Sequence, residues 1–120
     1  LREAGIRIAL GSHDAGGPRP IGWGTHLELE AFVDWVGMTP HDALVSATSA
    51  AAEALGVQEQ LGSIAPGRSA DFVVLEANPL DDIRNTRRIA RVFLRGRELD
   101  RPRLQAKWRA ACAATARPTQ

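Results

Sequence analysis

Cysteine is nearly absent: Cys112 is the only one in 120 residues, so no internal disulfide can staple the fold. No apolar run approaches the roughly 18 to 20 residues that cross a bilayer, and no basic-then-apolar leader opens the chain, so a membrane is not expected as a partner. Histidine is scarce as well, with His13, His26 and His41 the complete set. No two of them have His-x-His or helical i, i+4 spacing, so local ligands alone cannot clamp a zinc ion. A Gly-x-Ser-x-Gly elbow, a phosphate loop and a dinucleotide fingerprint are also missing. Catalysis contained wholly within these residues is therefore not expected, nor is stoichiometric metal on the chain by itself.

What is present is ordinary globular composition, 44% hydrophobic and 24% charged, over the length of about one domain. The net charge of +1 conceals an asymmetry: residues 1–83 carry 4 basic and 12 acidic side chains, residues 84–120 carry 11 basic and 2 acidic. Nucleic acid is not the expected partner of the arginine-rich part, because Phe93 and Trp108 are its only aromatics and it has no reading motif. A basic surface facing the acidic part fits better. The chain opens on Leu1-Arg2-Glu3-Ala4-Gly5, which reads as a helix end with a glycine stop, and its only methionine is Met38. The expectation is a segment of a longer polypeptide, with the compartment left open.

Ile6 to Leu10 is β-branched and apolar between glycines, which predicts a short buried strand. From Gly11 to Gly24, five glycines and two prolines surround His13 and Asp14, too many breakers for regular structure. Thr25 and Glu28 have capping-box spacing for a helix running to about Val36, with Leu29, Phe32, Val33 and Val36 on one face. Thr39-Pro40-His41-Asp42 opens a second helix with Ala43, Leu44 and Ala47 inside, and Ser49 begins a third that Gly56 ends. The period then changes. Residues 61–64 and 71–76 predict strands about a Pro66-Gly67 type II turn, and residues 90–94 and 97–99 a hairpin about Arg95-Gly96. A helical tail covers 103–116, with Leu104, Trp108 and Ala111 on one side.

Asp14, with His13 beside it, sits in a glycine-rich loop after a strand, where α/β folds place reactive side chains. An aspartate among glycines is more often a turn former, so position alone does not decide its role. His41 is expected to face solvent. Asp71 invites a ligand reading but opens a strand, and a structural role is expected for it.

The succession Ile8-Ala9-Leu10-Gly11-Ser12-His13-Asp14-Ala15-Gly16, Gly24-Thr25-His26-Leu27-Glu28-Leu29, Gly37-Met38-Thr39-Pro40 and Ala52-Glu53-Ala54-Leu55-Gly56 resembles the C-terminal portion of metal-dependent amidohydrolases, imidazolonepropionase-like members above all. The likeness continues through residues 61–75, Asn78-Pro79-Leu80-Asp81-Asp82 and the turn at Gly96, over about residues 1–100. The resemblance implies an α/β architecture in which 6–10 is the last strand of a (β/α)8 barrel and 25–56 its closing helices. Residues 61–100 would then return to a small β-sandwich, ahead of a C-terminal helical tail at 101–120.

The same resemblance implies hydrolysis of carbon–nitrogen bonds other than ordinary peptide bonds in a small-molecule substrate. The cofactor would be a divalent metal, zinc above all. Asp14 is then both a metal ligand and the group that moves a proton from the attacking water to the leaving nitrogen. The family's usual run is glycine, serine or threonine, then aspartate; here His13 is inserted, so either His13 or Asp14 is presented to the metal. His26 matches a histidine often found at this helix start and takes a substrate-binding or supporting role. The family's remaining histidines have no counterpart here, so the rest of the barrel is the implied partner, and the chain alone would be inactive. The alternative is a non-catalytic α/β module for binding or assembly.

Overall fold

The computed structural model describes residues 5–12 and 22–115. Three helices come first: α1 (Trp23–Asp34), α2 (Pro40–Ala47) and α3 (Ser49–Ala54). Strand β1 (Phe72–Leu75), a 3-10 helix η1 (Ile83–Arg87), strands β2 (Ile89–Leu94) and β3 (Arg97–Glu98), and helix α4 (Arg101–Thr115) follow. The fold is mixed α/β, with its helices and its antiparallel sheet segregated along the chain.

The second helix begins as its sequence dictates. Thr39 is the N-cap, its Oγ1 accepting the Asp42 amide at 3.1 Å, with proline at the first helical position. The first begins differently from the capping-box expectation. Its N-cap is Gly22, in the left-handed region at φ 88°, and Thr25 already lies inside the helix. Glycine enters this conformation without the Cβ penalty, so the chain turns into α1 three residues earlier than a Thr25 cap would allow. The third helix takes Thr48 rather than Ser49 as its N-cap, and the Thr48 hydroxyl donates back to Leu44 O at 2.7 Å.

The core joins these helices to η1. Leu29 of α1, Ala43 of α2 and Ile83 of η1 are buried together, with Leu10, Phe32, Val33, Leu44 and Ala47 packed around them. Alanine at 43, fully buried, allows close approach of α1 and α2. Two ion pairs strap η1 to α1: Arg84 to Asp34 at 2.5 Å and Arg87 to Glu30 at 2.5 Å. Partners four apart on an α-helix meet partners three apart on a 3-10 helix, each about one turn. The acidic first part of the chain thus meets the arginines that follow it.

The sheet has the order β1-β2-β3. Phe72 pairs with Phe93, their rings stacked at 4.6 Å, and a bulge between Val74 and Leu75 shifts the register so that Leu75 faces Ile89. The β2–β3 turn has φ 50° at Arg95 and 73° at Gly96, as a two-residue type I′ hairpin requires. Asp71 holds it: Oδ1 accepts the Arg95 amide at 2.5 Å and Oδ2 the Ser69 hydroxyl at 2.9 Å. Those two bonds, the amide's first, hold the Asp71 carboxyl below the usual carboxylate range. Its role is structural.

Two predicted strands are not strands here. Residues 61–63 are bends, because Gly62, at φ +88°, presses its backbone against α3. A Cβ there would lie 2.6 Å from Ala52 Cβ and 3.0 Å from Thr48 O. The turn after them does form, with Gly67 at φ 84° and Arg68 N donating to Ala65 O at 3.2 Å. Residues 6–10 have no ladder partner among the described residues; Leu10 N donates to Ser46 O at 2.9 Å. A strand is a property of a pair, and an apolar β-branched run without neighbours stays merely non-helical.

Helix α4 begins two residues before its expected start. Asp100 Oδ1 accepts the Arg103 amide at 3.0 Å, and Leu104 and Trp108 remain exposed along it.

Candidate active site

Ser12 and Gly22 flank the glycine-rich stretch that carries the two candidates. His13 and Asp14 lie outside the described residues. Both flanks of the loop are described, and they meet: Ser12 Oγ and Thr25 Oγ1 share a hydrogen bond of 3.2 Å. Ser12, two residues before Asp14 in sequence, is thus held against the first turn of α1.

His26 follows Thr25 in that turn and is half-buried. Its Nδ1 is 3.1 Å from the hydroxyl of Thr86, a buried residue of η1. The Trp23 ring meets the imidazole edge-on at 6.0 Å, and the Arg87 guanidinium stacks over the Trp23 ring at 4.8 Å. Arg87 also donates to Glu30 Oε2 at 2.6 Å, with 30% of the Arg87 and 13% of the Glu30 side chain exposed. The cluster of Trp23, His26, Glu30, Thr86 and Arg87 closes the gap between α1 and η1. On the same helix one Glu28 carboxylate oxygen is buried without a hydrogen-bond partner.

Burial lowers the His26 pKa from its ordinary 6.5, the Arg87 charge lowers it further, and Glu30 opposes both. The folded state thus prefers neutral His26, and the unfolded chain takes up this proton at the higher pH. The resulting stability is complete above the unfolded pKa of about 6.5 and is lost as pH falls through the folded value. Thermal unfolding midpoints between about pH 8 and pH 5 are expected to fall less steeply with acidification in His26→Asn than in the wild type. Equal slopes would show that His26 titrates alike in both states.

His41 is solvent-facing as expected, its side chain 72% exposed and 3.8 Å from Asp42. Among the described residues, no three of histidine, cysteine, aspartate and glutamate gather as a metal centre needs. The described residues therefore do not fit a metal site, and this chain's claim on one rests on the 13–14 pair. Sequence spacing assigns no role at this site to Thr86, although it ends the family-like run 78–86, or to Arg87. The available signal was Asp82, whose Oδ1 accepts the Arg84 amide at 2.9 Å and caps η1.

The Amidohydrolase family model matches residues 1–99. The chain belongs to the amidohydrolase family. Its curated relatives include the ochratoxinase of Aspergillus niger, 44% identical over 84 residues, 68% of this chain and 16% of that protein. Another is the imidazolonepropionase of Deinococcus deserti, 36% identical over 86 residues, 72% of this chain and 21% of that one. Among solved structures, a provisionally assigned prolidase from Bifidobacterium longum superposes with a TM-score of 0.76 at 42% identity, over 84% of this chain and 25% of its own. This amidohydrolase chain thus spans between about a sixth and a quarter of the length of these relatives.

Proposed function

We propose that the chain is the C-terminal segment of a metal-dependent amidohydrolase that hydrolyses carbon–nitrogen bonds, with Asp14 as its proton-transfer residue. Residues 6–10 take the place of the last barrel strand, 25–56 close the barrel, and 61–99 form strands and connections of a β-sandwich. The observation that carries this reading is the family match over residues 1–99, a range within which Asp14 falls. The 6–10 segment, without a ladder partner among the described residues, supports it, since apart from the Leu10 amide, which donates to Ser46 O, its backbone groups could pair with strands of the same barrel.

The bond class is drawn more widely than the sequence alone suggested, because a prolidase assignment stands among the structural relatives beside an ochratoxinase. Asp14 would accept a proton from the attacking water and deliver it to the leaving nitrogen, as a carboxylate within hydrogen-bond reach of both does. His13 and His26 are the neighbouring candidates for contact with substrate. The chain would contribute this acid–base group and the loop that bears it, and the remaining barrel strands would supply the other ligands.

The test uses the gene product containing this segment together with its upstream coding sequence, assayed for amine release from Xaa-Pro dipeptides, N-acylated amino acids and cyclic amides. Hydrolysis of at least one class is expected from the complete product and none from residues 1–120 alone. Turnover by the 120-residue chain would overturn the reading, and so would a complete product inert toward all three classes.

A further inference from the structure

We propose that the cavity between the β2–β3 hairpin and the start of α4 binds a small phosphate monoester with an apolar body. This site does not depend on the amidohydrolase reading: Arg103, Leu104 and Lys107, which form one wall, lie past the residues 1–99 that the family model matches. The described cations divide by their partners. Arg7, Arg84, Arg87, Arg88 and Arg91 face carboxylates, and Arg68 and Arg101 donate to backbone carbonyls. Arg95, Arg97, Arg103 and Lys107 have no ion pair and no side-chain hydrogen bond among the described residues, and all four line one cavity of about 570 Å³. The hairpin supplies the first two, and α4 supplies Arg103 and Lys107, one turn apart on the same helix face.

The acids at this cavity are already engaged. Glu98 gives both oxygens to Arg91, at 2.8 and 2.5 Å, and Asp100 accepts the Arg103 amide. Asp71, near the turn, is taken up by the Arg95 amide and the Ser69 hydroxyl, and the Arg95 charge is the smallest influence on it. Excess positive charge therefore surrounds the cavity, and a bound anion relieves that repulsion. Arg95 adds a second observation. At φ 50° it holds left-handed backbone at a turn position where asparagine, aspartate or glycine sits more easily, and such local strain concentrates at binding sites.

Charge and lining give the class of ligand. A carboxylate would bring one negative charge, whereas a phosphate monoester brings nearly two at neutral pH and three acceptor oxygens, which suit arginine forks converging from two elements. Leu94 and Leu104, both half-exposed, line the same cavity with Leu99. Inorganic phosphate would leave that apolar surface wet, and an alkyl or aromatic body would cover it.

Isothermal titration calorimetry on the complete protein at about 0.15 M salt tests this with octyl phosphate as the probe, and with inorganic phosphate, octanoate and octanol as its parts. One equivalent of octyl phosphate is expected to bind, and each of the other three more weakly. The double variant Arg97→Gln/Arg103→Gln should weaken that binding about tenfold, as loss of two charge-assisted contacts at an open site implies, and Lys107→Gln should weaken it by a smaller factor. Arg109→Gln, which removes an α4 charge from outside the cavity, should change it by less than about twofold. Unfolding midpoints of the ligand-free variants should not fall, since no partner is lost; if the double variant does not fold, Lys107→Gln carries the comparison. Absence of saturable binding, octanoate binding as tightly as octyl phosphate, or a loss in Arg109→Gln equal to that in the cavity variants would overturn the proposal. So would phosphatidylglycerol vesicles that sediment the protein while free octyl phosphate does not bind, because the surface would then be a face for lipid. A complete protein inert toward every amide class that still binds octyl phosphate through Arg97 and Arg103 overturns only the functional reading.

Discussion

Asp14→Asn should lower kcat of the complete enzyme by about 100-fold to 10,000-fold, the usual worth of a positioned acid–base group. Asparagine has nearly the same shape as aspartate but its amide neither takes a proton from water at neutral pH nor passes one on, so both halves of the transfer fail together. Because Asp14 sits among glycines in sequence and the flanking Ser12 and Thr25 are bonded to each other, the substitution is not expected to move the helices. Far-ultraviolet circular dichroism and the unfolding midpoint should therefore match the wild type. The companion variant is His13→Ala, since the inserted histidine gives the loop two ways of presenting a polar side chain. A large loss in Asp14→Asn with a small one in His13→Ala assigns the role to the aspartate. The reverse pattern would transfer it to His13 and require a one-residue shift of the loop.

Ile83→Ala should cost about 2 to 5 kcal/mol of stability, the range for truncating a buried isoleucine or leucine in a close-packed core. Ile83 is 1% exposed and one of three residues at the centre of the helical core. Its removal also loosens the seat of η1, on which the Arg84–Asp34 and Arg87–Glu30 pairs depend. A domain with about 5 to 15 kcal/mol in hand loses a large fraction of it in one step. Urea denaturation of the complete protein checks this, with Ile83→Val as the graded control at about 0.5 to 1.5 kcal/mol. A loss below about 1 kcal/mol for Ile83→Ala would mean that water or a relaxing neighbour fills the space, and that the core does not close where Leu29, Ala43 and Ile83 meet.

The helical half of the fold was legible because its signals are local. The Thr39 cap, Pro40, and the Ala43, Leu44, Ala47 stripe each depend on residues within one or two turns. The Arg95-Gly96 hairpin was legible for the same reason, since two residues suffice to set its turn. Failures came where the deciding partner is distant in sequence. Residues 61–64 alternate like a strand, but Gly62 is claimed by Ala52 and Thr48 of another element. The start of α1 was misplaced because a left-handed glycine competes with a capping box, and composition does not rank the two. Residues 6–10 have strand chemistry and no neighbour to pair with.

The site divides along the same line. Asp14 and His13 stand out through their glycine-rich surroundings and family resemblance, and His26 through its place at a helix start. Thr86 and Arg87 do not, because they reach His26 and Glu30 from 60 and 57 residues away. No spacing rule covers such a separation. The charge asymmetry was the one long-range feature visible in advance, and part of it resolves into the Arg84–Asp34, Arg87–Glu30 and Arg88–Glu76 pairs.

The bond between Ser12 and Thr25 fixes the two described flanks of residues 13–21 against each other. Insertions or deletions between those flanks need not disturb the surrounding frame, and doubling the length of chain between two fixed ends costs only about 0.6 kcal/mol in chain entropy. Selection can therefore rewrite the residues around the proposed acid–base group, Asp14, at small cost to the frame on either side, one physical route by which a single architecture acquires new substrates.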